Sequence, residues 1–238
     1  LQVARTVPVR FDLVFESDNP VWDQHAELGE GDNHWNDRAN YNSPDGHIEQ
    51  NGTVTGKVYL PNNETYDINA VATRDHSRGK RDLTTYKSHL WTNGHFPSGR
   101  SFNLFALKAH GFDGVAAGRG CILVDGKLHD ANVAVESGCW LTHPSELFKP
   151  SWLTLDSPTL GQVEFRAKKI INSVPLLLMY PGADHYWSAP TQSATKTLTW
   201  VNEQKVVWEW DGEEGHGHLE RGNSRFSAAD PDWQANFK

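Results

Sequence analysis

The sequence predicts an all-β protein, an antiparallel barrel or curved sandwich of about ten strands. Three observations carry that expectation. Short runs with alternating apolar residues recur along the chain, Gly and Pro punctuate nearly every interval between them, and no stretch shows a helical stripe bounded by capping residues. A length of 238 residues is one that β-barrels and sandwiches often occupy as a single domain.

In chain order, residues 5–16 set Val7, Val9, Phe11 and Leu13 at alternate positions, the period of a half-buried strand. Residues 17–46 are rich in Asp, Asn, Gly and His around Trp22, Trp35 and Tyr41 and read as an irregular connection packed on the barrel. From Gly52 a hairpin begins. Val54, Val58 and Leu60 share one face, Pro61 to Glu64 form the turn, and Tyr66, Ile68, Ala70 and Ala72 share one face of the return. Continued alternation places Arg74 and His76 on the Tyr66 face and Asp75 with Val71 and Thr73 on the other.

Residues 101–109 are apolar on both faces, as in a central strand. Asp125-Gly126 is the strongest hairpin signal in the chain and joins strands at 115–124 and 127–135. Further strands are expected at 161–170, 173–180, 195–201, 205–210 and 216–221. Residues 139–158 hold three prolines, but Trp140, Phe148 and Trp152 argue that this stretch packs down. The expected division is therefore an N-terminal segment with one strand over 1–46, a barrel over 47–222, and a tail over 223–238.

The formal charge of −8, with acidic residues dispersed, excludes a nucleic-acid footprint. No apolar run approaches the roughly 20 residues of a membrane-crossing helix. Ten Trp and ten Phe point to ring-lined interior surfaces. Cys121 and Cys139 either form one bridge or remain two small buried thiols. Asn51-Gly-Thr53 and Asn63-Glu-Thr65 are glycosylation sequons, a slight tilt toward secretion; cytoplasmic and secreted locations both stay open. The chain begins at Leu1, which is expected of a processed protein or a piece of a longer one.

The densest chemistry lies at Arg74-Asp75-His76 and Arg81-Asp82. A carboxylate can orient an imidazole for proton transfer, and the guanidinium groups can fix carboxylates or anchor a polar group. The alternative is a salt-bridged strand end in which these charges only satisfy one another. Glu213 to Arg221 forms a second cluster, in which His216, His218 and Glu220 share a strand face; the two histidines are weak metal candidates, and Glu220 is the better acid. A third, His47-Ile-Glu49-Gln50, puts His47 and Glu49 on one face. No phosphate-cradling loop, dinucleotide fingerprint or nucleophile elbow occurs, so no cofactor is expected.

These three stretches resemble an uncharacterised β-rich family marked by His-x-Glu-Gln, then Arg-Asp-His-Ser-x-Gly-x-Arg-Asp, then a terminal Gly-x-Gly-x-x-Glu. Such domains are similar to the amino-terminal part of animal phosphoenolpyruvate-synthase-like phosphotransferases. More distantly they are similar to the lipocalin-like (calycin-like) carotenoid 1,2-hydratase group, which acts on polyene or terpenoid substrates. Arg78 and Leu83 stand where that pattern carries aromatic residues. The resemblance implies either a one-barrel form or one whose first half has been removed, because too little chain precedes His47 for a complete first barrel.

The expected function is proton transfer on a hydrophobic small molecule (hydration, dehydration, isomerisation or cyclisation) inside an aromatic-lined barrel. Asp75, His76 and Glu220 are the catalytic candidates, with Asp75 or Glu220 as an acid raised by burial. Arg74, Arg81, His47, Trp91 and Trp208 are the substrate-binding candidates. The rival is a non-catalytic lipocalin-like carrier of an apolar ligand. A working site requires His47 or Glu220 to converge on Asp75 and His76.

Overall fold

The computed structural model describes residues 7–24, 46–77, 86–109, 114–115, 117–140, 148–149, 151–179 and 198–224. Twelve strands form among them: β1 (Arg10–Glu16), β2 (Trp22–Asp23), β3 (His47–Tyr59), β4 (Thr65–Ser77), β5 (Tyr86–His95), β6 (Ser101–Ala109), β7 (Ala117–Val124), β8 (Lys127–Ser137), β9 (Ser151–Ser157), β10 (Gly161–Met179), β11 (Leu198–Trp210) and β12 (Glu213–Ser224). No helix is long and apolar enough to cross a membrane among the described residues.

Strands β5 to β12 pair in sequence order, and β12 pairs back onto β5, so the sheet closes into an eight-stranded antiparallel barrel. An up-and-down, lipocalin-like closure of this kind leaves no free edge. Tight turns supply two of the reversals. Asp125-Gly126 and Asp211-Gly212 both take positive φ at both positions, 51° and 73° for the first pair and 51° and 80° for the second, the turn that matches strand twist.

An eight-stranded barrel is only wide enough for its own side chains, and here they fill it. Phe102 stacks on Phe165 with centroids 4.0 Å apart, Trp208 meets Phe102 edge-on at 5.5 Å, and Trp210 meets Phe165 at 5.1 Å. Leu90, Leu104, Ile122, Leu155 and Leu219 complete the interior, each 0% exposed. One end is polar: Arg221, also 0% exposed, donates to Gln204 Oε1 at 2.5 Å and to the Gly138 carbonyl at 3.0 Å. Cys121 and Cys139 are free, buried thiols, and burial pushes Cys139 up to about 12.

The second layer is a four-stranded sheet built on β3, with β1 and β2 along one edge and β4 along the other. Its inner face lies against the outside of the barrel wall. Asn51 of β3 donates to Ser101 Oγ at 2.9 Å and bonds Asn103. Thr73 of β4 bonds Asn51 at 2.9 Å and His95 at 3.0 Å, and Arg119 reaches the Gln24 carbonyl at 2.7 Å.

Several expectations are corrected. The barrel wall begins at β5, so the 47–77 hairpin lies in the separate sheet. β5 and β9 form where no strand was expected, because their faces mix polar and apolar residues. The paired runs 161–170 with 173–180, and 195–201 with 205–210, are single strands, β10 and β11. β1 buries almost nothing, with Phe11 66% exposed, because it lies at the sheet edge. Asn51 is 7% exposed and bonded through its amide, so its sequon is closed in the folded chain.

Candidate active site between the sheet and the barrel wall

Period-two alternation decides which side chains meet here. On β3 it turns His47, Glu49 and Asn51 toward the barrel, and on β4 their register partners Ser77, Asp75 and Thr73. On β5 it turns His89, Trp91, Asn93 and His95 outward from the barrel, opposite Leu107, Phe105, Asn103 and Ser101 of β6. β12 adds His218 and Glu220, and β11 adds Glu203, the direct partner of Glu220. Gly217 permits the close approach of β12 to β5, since a Cβ there would run into the Asn93 carbonyl.

Two imidazole–carboxylate pairs flank the Phe105 ring. His47 Nε2 lies 2.5 Å from Asp75 Oδ2 and 3.7 Å from Glu49 Oε1, with its ring edge-on to Phe105 at 6.0 Å. His89 Nε2 lies 2.5 Å from Glu220 Oε1, with its ring stacked on the same Phe105 at 6.0 Å and 16°. Trp91 links the two sides: its Nε1 donates to Glu49 at 3.0 Å, and its ring lies 5.1 Å from that of His218.

Glu49 is the best-buried carboxyl of the group, at 1% exposure. Gln24 donates to it at 2.7 Å and Asn103 at 2.5 Å. Burial pushes its pKa above the ordinary carboxylate value; the Asn103 hydrogen bond, His47 and Trp91 oppose this only in part, and nearby Asp75 adds to it. Glu220 goes the other way. Burial alone would raise it, but the His89 hydrogen bond and charge, Glu203 and His218 outweigh that and hold it below the ordinary value. The expectation of Glu220 as a burial-raised acid is thereby corrected. His95 is depressed to about 4 by burial and so is neutral near pH 7. Because Thr73 can donate to Asn51 Oδ1, the His95 contact at 3.0 Å assigns the proton to His95 Nε2.

A cleft of about 820 Å³ opens beside these groups, floored by the barrel wall at β5, β10, β11 and β12 and walled by β4. Val71, Trp91 and Val174 give it apolar surface. Thr73, His95, Glu203, Lys205, His216 and His218 give it polar groups. Trp91, Glu203 and His218 are thus shared between the cleft and the titratable cluster, while His47, Asp75, His89 and Glu220 do not line it.

Of the residues expected to act, the structure brings together His47, Asp75, Trp91, Glu220 and His218. The imidazole that meets Asp75 is His47, not His76. Arg74 and His76 are exposed on the opposite face of β4, because neighbouring residues of a strand cannot share a face. Trp208 is sealed in the barrel core at 0% exposure, away from the cleft, since β11 turns it inward. His216 lines the cleft but is absent from the trio of Glu203, His218 and Glu220. Arg81 and Asp82 lie outside the described residues. Sequence reasoning gave no role to Glu49, His89, Phe105 or Glu203. The alternation His89, Trp91, Asn93, His95 was the available signal for β5.

No curated protein matches the chain, so the resemblance to animal phosphotransferases finds no support there. Among solved structures, an AttH-type protein of Nitrosomonas europaea is similar with a TM-score of 0.54 and 13% identity, over 92% of this chain and 62% of its own. Kievitone hydratase from Nectria haematococca aligns with a TM-score of 0.43 and 9% identity, over 91% of this chain and 62% of its own. The first likeness concerns the fold alone. The chain spans less than two thirds of the length of either protein. A family model described as a domain of unknown function, DUF7064, matches residues 3–225, and the chain belongs to that family.

Proposed function

We propose that the protein is a proton-transfer enzyme of the hydratase, dehydratase or isomerase type, acting on an amphipathic small molecule held in the cleft beneath β4. The observation that carries this reading is the chain Asp75–His47–Glu49. One imidazole nitrogen, His47 Nε2, lies 2.5 Å from a carboxylate with a 34% exposed side chain and 3.7 Å from a carboxyl with a 0% exposed side chain. Burial favours the protonated form of Glu49, so a proton can be stored there and, once the Glu49–His47 gap closes to hydrogen-bond distance, handed through His47 Nε2 to Asp75, the member of the cluster most open to solvent. The His89–Glu220 pair across Phe105 offers a second proton group, as addition or removal of water across two adjacent carbons requires.

The cleft supports an amphipathic rather than a wholly apolar ligand. Val71, Val174 and Trp91 can pack a hydrocarbon part, while Lys205, His95 and His218 can meet oxygen atoms. The ring-filled barrel interior supports no ligand space, which moves the expected binding site to the outside of the wall.

The test is isotopic. Ligand extracted from the purified protein is incubated with it in D₂O and in H₂¹⁸O and followed by mass spectrometry. Deuterium or oxygen-18 incorporation is expected, falling about 10²–10⁴-fold in Asp75→Asn and strongly in Glu49→Gln. Retention without label would favour the carrier, and unchanged incorporation in both variants would sink the assignment of these residues.

A further inference from the structure

We propose that Glu203, His218 and Glu220 form a binding site for one divalent transition-metal ion at the inner end of the cleft. Glu203 and Glu220 are direct cross-strand partners on β11 and β12, and His218 precedes Glu220 by two residues on the same face. Like charges placed directly opposite one another in a sheet destabilise it, so this pairing calls for a proton or a cation between the carboxylates. One ligand atom from each residue lies within 4.8 Å of the others.

Two close but misaligned ligand atoms point to the cation. His218 Nε2 and Glu203 Oε2 pair at 2.6 Å, on side chains 33% and 28% exposed, but the contact lacks hydrogen-bond alignment, and the two atoms themselves are out of reach of solvent. They are close without being aligned to bond, as two atoms directed at a common third centre are. Opening that separation to about 3 Å would seat both on one ion, with metal–ligand bonds of about 2.0–2.2 Å. Outer support is in place as well: His89 holds Glu220 Oε1 at 2.5 Å, and Trp91 packs on the His218 ring at 5.1 Å. Ligating carboxylates are commonly held by such hydrogen bonds. Lys205, the cross-strand partner of His218, is exposed, so its ammonium can remain in solvent.

The other trio within reach, His47, Glu49 and Asp75, lacks these features. Three donors already occupy the Glu49 oxygens, which leaves that carboxyl no free lone pair directed at an ion. One imidazole with two carboxylates favours zinc, manganese or iron(II) over magnesium or calcium. Three protein ligands leave a position open toward the cleft, as in catalytic rather than structural zinc sites. Use of that position in catalysis rests on the proton-transfer reading above; binding itself does not.

The experiment is calorimetric titration of the purified chain with zinc chloride and, separately, manganese chloride, with bound metal counted after dialysis. One equivalent per chain is expected, with affinity falling at least 100-fold in Glu203→Gln and in His218→Ala, and about 10–100-fold in His89→Ala. His216→Ala should bind like the parent. Circular dichroism of each variant separates lost folding from lost binding, and stoichiometry in the unmodified chain needs no variant. Zero stoichiometry, or equal affinity in Glu203→Gln and His218→Ala, would overturn the site. Metal binding without isotope incorporation would leave the site standing and remove the catalytic reading; incorporation without metal would do the reverse.

Discussion

The two faces of the barrel wall are made by the same strands and do opposite work. On β6, Phe102, Leu104 and Ala106 turn inward and are 0% exposed, while Ser101, Asn103 and Phe105 turn outward beneath the sheet. The inner face is mostly packing, rings on rings, with polar contacts gathered at the Arg221–Gln204 end. The outer face is nearly all hydrogen bonds: Asn103 serves both Glu49 and Asn51, and Phe105 separates two imidazoles. An eight-stranded barrel this full cannot also be the ligand chamber, so the chemistry has moved to the outer face, where the second layer shields it from water. The largest test of this division is a pair of ring deletions. Phe102→Ala should lower stability by about 3–5 kcal/mol. Phe105→Ala, only half-buried, should cost about 1–2 kcal/mol while abolishing most isotope incorporation, because the two imidazoles lose the ring between them. Chemical denaturation of both variants with the incorporation assay checks this, and a reversed order of stability losses would break the division.

How much of this was legible follows from the same alternation. Where both faces of a strand are apolar or alternate cleanly, as in β3, β4, β6 and the Asp125-Gly126 hairpin, the strand was plain and so were its faces. The placement of Asp75 on the Thr73 face and His76 on the Tyr66 face was readable and correct. What was not readable is which inward face lies against which outward one, since that depends on a separate sheet folding over the barrel. His47 therefore took the place given to His76. Trp208 shows the same blindness: a ring on a strand reads alike for a core and for a binding wall, and only closure of the barrel decides between them. β5 was missed because its outward face carries His89, Trp91, Asn93 and His95, a mixture that resembles a loop until something covers it.

The pH dependence of stability sharpens the contrast, because titrating groups buried between the layers pull in opposite directions. His95 is depressed to about 4 in the folded chain, below the usual histidine value of about 6.5 in the unfolded one. The folded state therefore binds fewer protons between those values. This contribution is fully present above about pH 6.5, is lost as pH falls toward about 4, and amounts to roughly 3 kcal/mol at most. Glu49 is raised, so its contribution is present below the ordinary carboxylate range and is lost as pH rises through its folded value. His95→Gln, neutral at every pH and still able to donate to Thr73, should flatten the acid limb between about pH 6.5 and 4 without altering the part due to Glu49. Thermal melts across that range measure it. An unchanged acid limb in His95→Gln would show that burial does not hold His95 neutral.

The smallest expected effect separates the two faces of a single strand. Asp75 and His76 are adjacent in sequence, but Asp75 meets His47 under the sheet, whereas His76, like Arg74, is exposed on its outer surface. Exposed substitutions away from packed or paired groups change stability by about 0.5 kcal/mol or less. His76→Ala and Arg74→Ala should therefore melt within that margin and retain full isotope incorporation, while Asp75→Asn, also a mild change in stability, loses it. If His76→Ala lost incorporation as Asp75→Asn does, the outer face of β4 would belong to the site, and the cleft between sheet and barrel would no longer account for the chemistry.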